Sequence, residues 1–324
     1  TAAGLAMAVL FVLDPAPDVA LVQIVVDILT TVILVLALTR IPRGQRAAAQ
    51  RLAETELQGR HPANLLRDVL LAGAIGLVVA SLTFSALTSR SSRDSVVTPY
   101  YETNAKPLAG ASDIVGAIVV DFRQLDTVIE IIVFAAAGLG VYMLLRMASV
   151  HQRDRGEQFG EQRPPPVRRT QGIGGPRPSA FIRLPTLATL PIALLLAATH
   201  MMYGHQQPGD GFTAGVIIAL AVALWYVVFG YDETRRRLPW LRGVYLIGLG
   251  LFLVAALAVL SWAFTGYVFG HVNFSASISG LLPKCFDIST AFLFEVAICL
   301  TVLGSVALVL NTLGHPGDEE ETET

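Results

Sequence analysis

The chain has 324 residues, of which 53% are hydrophobic and only 15% are charged. Its mean hydropathy of +0.60 and its low charge content exclude an ordinary soluble domain, in which about a quarter of the residues are charged. The net charge is −2, and we expect no nucleic-acid partner. The composition therefore predicts an integral membrane protein.

Seven apolar runs each approach the roughly 20 residues that a spanning helix needs, and they are continuous and not alternating, which excludes membrane strands. The first residues, Thr1–Leu13, are too short to span, and we interpret them as the end of a helix that starts outside this sequence. A cleaved signal peptide is the alternative, but no basic segment precedes the apolar stretch. We expect an all-α membrane protein with this partial helix and seven full spans: Val19–Leu38, Leu65–Leu87, Thr127–Met147, Phe181–Tyr203, Phe212–Tyr231, Val244–Phe264 and Ile288–Leu310.

The first full span carries a carboxylate, Asp27, near its middle. A charge there costs about 2.5–3.5 kcal/mol on insertion scales, so Asp27 must face protein, a partner or water. Gln23, Asp27 and Thr30 with Thr31 follow a helical repeat and form one polar stripe. Such a stripe is typical of a proton or cation path. The alternative is a carboxylate that only joins helices by hydrogen bonds.

Before the third full span lies a short apolar run, Ile114–Val120, which is too short to cross. We expect it to lie along the outer surface or to dip back into the membrane. Asp121 and Arg123 follow it as a polar pair at the membrane threshold. Asp126 and Glu130 then share one helical face. The helix dipole explains an acidic residue at position 126, whereas Glu130 lies about one turn deeper and is a candidate for the ion path.

Residues 151–180 are rich in Arg, Gly and Pro and predict a flexible linker. They separate a module of residues 1–150, with the partial helix and three spans, from a four-helix module of residues 181–324 that ends in an acidic tail. Arginines concentrate after the first full span, around the linker and at Arg235–Arg242. By the positive-inside rule these segments and the acidic tail are cytoplasmic.

In the second module, a turn rich in Gly and Pro joins the first two spans and predicts a tight reversal. We assign it a structural role. His200, His205 and Asp210 match no standard ligand spacing, so we expect no metal site. The turn residues of interest are His205, Pro208, Gly209, Gly211 and Phe212.

The last span is marked by Asp287 at its start and by Glu295 about 12 Å further along the helix. Ala291, Glu295 and Cys299 fall on one face, which should point toward other helices. Asp287 and Glu295 are lower-ranked candidates for the ion path.

Four blocks of this chain resemble parts of the Mrp-type multisubunit Na⁺/H⁺ antiporters. Residues 16–32 and the exit Arg40-Ile-Pro42 resemble a helix near the end of the large A subunit, where the family usually has Glu at the position of Asp27. Residues 107–110 and 120–130 resemble its next block. Residues 204–212, with Asp210 where Gly is common, and residues 286–289 resemble the first hairpin and the last helix of the small B subunit.

The resemblance implies the C-terminal part of a fused A–B polypeptide, with A-type residues at about 1–150 and B-type residues at about 180–315. It implies part of a transporter, not an enzyme, located in the bacterial plasma membrane. Na⁺ and H⁺ would be transported ions, no cofactor is expected, and the partners would be other antiporter subunits and the bilayer. The alternatives are a membrane arm of a redox-driven pump and a non-conducting assembly scaffold. If the chain is part of an antiporter, its candidate residues for the ion or proton path are Gln23, Asp27, Thr31, Asp121, Arg123, Asp126 and Glu130.

Overall fold

The computed structural model describes residues 2–13, 17–40, 50–52, 62–88, 97–158, 179–204, 206–274 and 288–314. The chain divides into two compact units, unit 1 with Thr1–Ala37 and Glu102–Thr324, and unit 2 with Leu38–Tyr101. The helices in the described part, in chain order, are α1 (Ala2–Leu13), α2 (Pro17–Arg40), α3 (Pro62–Thr88), α4 (Thr98–Ala109), α5 (Ile114–Ala117), a π-helical turn (Ile118–Phe122), α6 (Gln124–Gln158), α7 (Ala180–Tyr203), α8 (Gly211–Phe229), α9 (Tyr231–Arg237), α10 (Gly243–Thr265) and α11 (Thr290–Gly314).

The predicted fold class is confirmed. Seven of the described helices are long and apolar enough to cross a membrane, and α1 is a shorter apolar helix at the N-terminal end. Within the described ranges, the only β pairing outside the helices is one isolated bridge between Asn273 and Ser289. The helix α6 continues to Gln158, so it extends into the segment that the sequence assigns to the linker.

In unit 1 the last helix, α11, is the most enclosed of the membrane spans. Buried residues make up 78% of its most apolar stretch, against 17% for α2. Close approach depends on small residues, as expected where lipid removes the hydrophobic drive for association. A Cβ at Gly215 of α8 would lie 2.9 Å from the Cys299 carbonyl oxygen, and one at Gly138 of α6 would lie 3.0 Å from the Cβ of Ser305.

In unit 2 the main element is α3, and the described side chains along its apolar stretch are exposed almost throughout. Leu66, Leu70 and Leu77 are each at least 60% exposed. Added Cβ atoms at Gly73 and Gly76 would meet nothing within 4 Å. These two positions therefore tolerate a methyl group within this chain.

The short apolar run at residues 114–120 forms α5 and part of the π-helical turn. Ala117 and Val120 of this run are fully buried in the protein, whereas Val115 is 49% exposed. Its expected position, along the outer surface or dipping back into the membrane, stays a prediction. The wide turn closes with a bond from the Arg123 N–H to the Ile118 carbonyl. The carbonyl of Val119, in the same turn, accepts a hydrogen bond from the Thr127 hydroxyl at 2.7 Å.

Candidate functional site

In the predicted polar stripe on α2, Gln23, Asp27 and Thr31 are half-buried and Thr30 is exposed. The carboxylate of Asp27 lies directly against Gly4 of α1, where an added Cβ would overlap it. Gly4 therefore leaves the space that the carboxylate occupies. The Thr31 hydroxyl donates to the Asp27 backbone carbonyl at 2.8 Å, which leaves its oxygen lone pairs able to accept from water or to contact a cation.

The acidic residues at the start of α6 have different surroundings. Asp126 and Glu130 are exposed in this chain. Asp126 forms an ion pair with Arg123, whose side chain is also largely exposed. The Arg123 side chain thus contacts the acidic residue three positions further along the chain, and the role of Asp121 and Arg123 as an entry pair stays a prediction.

Asp121 instead pairs with a histidine that the sequence does not single out. Its Oδ1 lies 2.8 Å from Nδ1 of His271, and the two side chains are only 9% and 19% exposed. His271 follows α10 in the loop that returns to α11, 150 residues away in the chain. The π-helical turn directs Asp121 toward this loop, so the pair joins the first module to the second.

The Gly- and Pro-rich hairpin brings the second module's first two helices together as predicted. Asp210 caps α8 by accepting from the Thr213 N–H at 2.7 Å. Gly209 has a φ of +151°, and a Cβ there would overlap the His200 ring, so glycine is needed at this position. Pro208 is exposed. The ring of Phe212 packs edge-on against that of Phe134, 5.7 Å away, and the predicted turn histidine, His205, lies outside the described residues.

Glu295 occupies the crossing of α8 and α11. It is 2% exposed, and Ala291 and Cys299 on the same helical face are buried with it. The backbone N–H of Gly211 donates to Glu295 Oε2, and a Cβ at Gly211 would overlap the Glu295 backbone. The same glycine thus allows the close crossing and supplies the carboxylate's donor. Asp287, the other candidate on this span, lies outside the described residues.

A further acidic residue lies close to the hairpin. Asp18, in the first turn of α2, accepts a hydrogen bond from the Gly209 backbone, and Asp113 and Asp210 are its acidic neighbours. Asp113 caps α5 by accepting from the Gly116 N–H at 2.7 Å. Asp18 has a sequence signal, an acidic residue at a helix start, but that signal indicates only capping. His271 has no local signal, since a lone histidine after a span is most often a loop residue.

These groups share one chemical property. Carboxylates, one carboxylate–histidine pair and hydroxyl oxygens are groups that can bind protons or provide oxygen ligands. Among the described residues, no group of three or more His, Cys, Asp and Glu could hold a metal ion. Together with the helices, these groups define a multi-pass helical membrane protein with acidic residues inside its spans.

Three family models match the chain in order. Residues 1–43 match MbhD, the D subunit of MBH; residues 63–154 match MbhE, the E subunit of MBH; and residues 181–308 match a domain related to the MnhB subunit of Na⁺/H⁺ antiporter. The matches leave the segment between residues 154 and 181 uncovered. That gap coincides with most of the linker assigned from composition.

One curated relative and one solved structure align with nearly the whole chain, and other curated relatives align with about half of it. A probable K⁺/H⁺ antiporter A/B subunit of Rhizobium meliloti is 29% identical over 97% of this chain, and the match covers 31% of that relative. A putative antiporter subunit mnhA2 of Staphylococcus haemolyticus is 36% identical over 47% of this chain and 17% of its own length. A chain of the Mrp complex from Dietzia sp. DQ12-45-1b aligns with 98% of this chain and 32% of its own, at a TM-score of 0.70 and 25% identity.

The chain is therefore similar, over nearly its whole length, to subunits of Mrp-type antiporters. The relative that aligns with almost all of this chain is itself named an A/B subunit. The chain spans about a third or less of the length of the relatives that it matches.

Proposed function

We propose that this chain is part of a membrane subunit of a complex that exchanges a monovalent cation for protons, driven by the proton gradient. The observation that carries the proposal is the half-buried Asp27, which faces Gly4 of α1 in the middle of an apolar span. Inserting a carboxylate into the membrane costs about 2.5–3.5 kcal/mol on insertion scales, so a carboxylate found there more often has a functional role than a structural one. The similarity to antiporter subunits supports antiport as that function.

Asp27 is the group that alternately takes up a proton or faces the cation, with Gln23 and Thr31 as its polar neighbours. Asp126 and Glu130 extend the path along the exposed side of α6, where water or another subunit of the complex can reach them. Asp121 and Arg123 mark the approach to it. Glu295, Asp287 and the hairpin belong to a module that has a mainly structural role.

The relatives' names include both a K⁺/H⁺ and a Na⁺/H⁺ antiporter, so we propose Na⁺ or another monovalent cation as the substrate. The partners would be the other membrane subunits of such a complex. The arginine distribution supports a cytoplasmic location for the segment after α2, the linker and the acidic tail.

Exchange by the purified complex in vesicles tests the proposal, with a pH dye and imposed Na⁺ or K⁺ gradients. Asp27→Asn removes the titratable group at nearly constant volume, so it should assemble but lose most exchange. Asp27→Glu should retain exchange, because it keeps a carboxylate and restores the family's usual residue. Asp68→Asn is the matched control, since Asp68 pairs with the adjacent Arg67 at the start of α3.

Full exchange in an assembled Asp27→Asn complex would exclude the proposal and leave the assembly scaffold. The membrane arm of a redox-driven pump predicts something different. Its genes should stand beside genes for iron–sulfur or nickel subunits, and no exchange should occur in vesicles without an electron donor.

A further inference from the structure

The turn that connects α8 to α10 has an excess of positive charge. The short helix α9 ends in three consecutive arginines, and Arg242 follows just before α10. The same helix has two carboxylates, Asp232 and Glu233. Glu233 forms an ion pair with Arg237, at 2.6 Å between Oε1 and Nε. Arg236 and Arg242 are exposed. The turn therefore presents cationic side chains at the end of two membrane spans.

Two exposed aromatic residues accompany these arginines. Trp240 is 46% exposed and Tyr245, in the first turn of α10, is 70% exposed. The Arg242 guanidinium lies 5.7 Å from the centre of the Tyr245 ring, within the range of a cation–π contact. Trp and Tyr are enriched where membrane meets water, because their rings prefer the headgroup level.

The protein core holds this turn in place. Leu238 and Leu241 are 5% and 2% exposed. The Asn311 side-chain amide of α11 donates to the Leu241 carbonyl at 3.5 Å, and the Tyr226 hydroxyl of α8 donates to Asn311 Oδ1. A ligand that binds here does not have to order the backbone first, which lowers the entropic cost of binding.

We propose that this turn, residues 236–245, binds the headgroup of an anionic phospholipid. Arg236 and Arg242 contact the phosphate, whose planar, bidentate recognition suits guanidinium groups. Trp240 and Tyr245 lie among the headgroups beside it. If the arginines served only to orient the chain, any positive charge in the turn would be sufficient, and neither stacking on Tyr245 nor burial of the leucines would matter.

Native mass spectrometry of the purified complex in detergent, titrated with phosphatidylglycerol or with phosphatidylcholine, tests this site. The wild type should retain phosphatidylglycerol in preference to phosphatidylcholine. The double change Arg236→Gln with Arg242→Gln should lower phosphatidylglycerol affinity roughly tenfold or more, since each basic side chain near a membrane surface contributes. Arg183→Gln is the matched control, because Arg183 is an exposed arginine in the first turns of α7 and should have no effect.

Arg242→Lys separates charge from geometry. It keeps the positive charge and should assemble, but it should bind phosphatidylglycerol more weakly than the wild type because the planar group over Tyr245 is lost. It also supplies the measurement if the double variant does not assemble. Unchanged lipid retention in Arg242→Lys together with failed assembly of the double variant would assign the turn to a contact between subunits and overturn the proposal.

Two further results would also overturn it. An equal loss of lipid in Arg183→Gln would indicate attraction by overall charge without a site. Equally effective displacement of phosphatidylglycerol by inorganic phosphate at the same concentration would show a phosphate site that does not need a lipid.

Discussion

Two spans of unit 1 carry a carboxylate deep in an apolar helix, and their surroundings differ. Glu295 of α11 is enclosed on all sides and receives a backbone hydrogen bond from Gly211. Asp27 of α2 is half-buried on a span whose other faces are largely exposed. The difference indicates that a satisfied, enclosed carboxylate fixes a helix crossing, whereas one at a partly open surface can exchange protons or ions with water or a partner.

The largest expected effect compares the two carboxylates directly. Asp27→Asn should reduce exchange more than tenfold, whereas Glu295→Gln should reduce it less, because the Gln oxygen still accepts from the Gly211 N–H and the helix crossing survives. Exchange by both complexes in vesicles, normalised to assembled complex, measures the difference. A greater loss in Glu295→Gln would reverse the comparison and place the principal ion path in the second module.

Second, the crossing of α8 and α11 depends on Gly211. Gly211→Ala puts a methyl group into the Glu295 backbone, and we expect about 3 kcal/mol of destabilisation and a marked loss of assembled complex. Gly248→Ala on α10 is the control, because a Cβ there meets nothing within 4 Å. Denaturation in SDS-containing micelles compares the two. Equal stability of both variants would show that α8 and α11 can move apart to accept the methyl group without loss of stability.

Third, the Asp27 surroundings can be changed without touching the carboxylate. Gly4→Ala should displace the Asp27 side chain and reduce exchange several-fold while the complex still assembles, since α1 and α2 have more exposed surface on which to adjust. Gly140→Ala on α6 is the control, with no neighbour within 4 Å of its Cβ. The same vesicle assay applies. If Gly4→Ala exchanges ions as fast as the control, the contact of Asp27 with α1 does not matter for exchange.

Fourth, the Asp121–His271 pair should couple the two modules energetically. Because both side chains are mostly buried, a double-mutant cycle of Asp121→Ala and His271→Ala should give about 1–2 kcal/mol in the same micelle denaturation. The exposed pair Glu233–Arg237 should give less than about 0.5 kcal/mol. A coupling for Asp121–His271 no larger than this would make the pair incidental.

The smallest expected effect comes from cutting the linker between residues 159 and 175. The modules touch directly within unit 1, through Asp121 with His271 and through Gly138 with Ser305. Two separately expressed halves should therefore assemble and retain much of the exchange. Loss of exchange while both halves remain in the purified complex would mean that the linker transmits a change between the modules.

The number, length and order of the spans could be predicted from the sequence, because the hydrophobic length needed to cross a bilayer is present as continuous apolar runs. Two local features could also be predicted from the sequence. The Gly- and Pro-rich hairpin formed where predicted, and the burial of Ala291, Glu295 and Cys299 followed from their shared helical face.

The tertiary structure alone decided which polar groups meet. Most of each span is apolar on every side, and lipid is as apolar as leucine. Apart from a few polar or small residues, the sequence therefore has no amphipathic pattern that tells a lipid-facing side from a protein-facing one. Asp126 and Glu130 thus proved exposed while Asp121, a few residues earlier, turned inward on a π-helical turn. Its partner, His271, comes from 150 residues away, and a contact at such a separation is set by how helices pack and not by any local residue pattern.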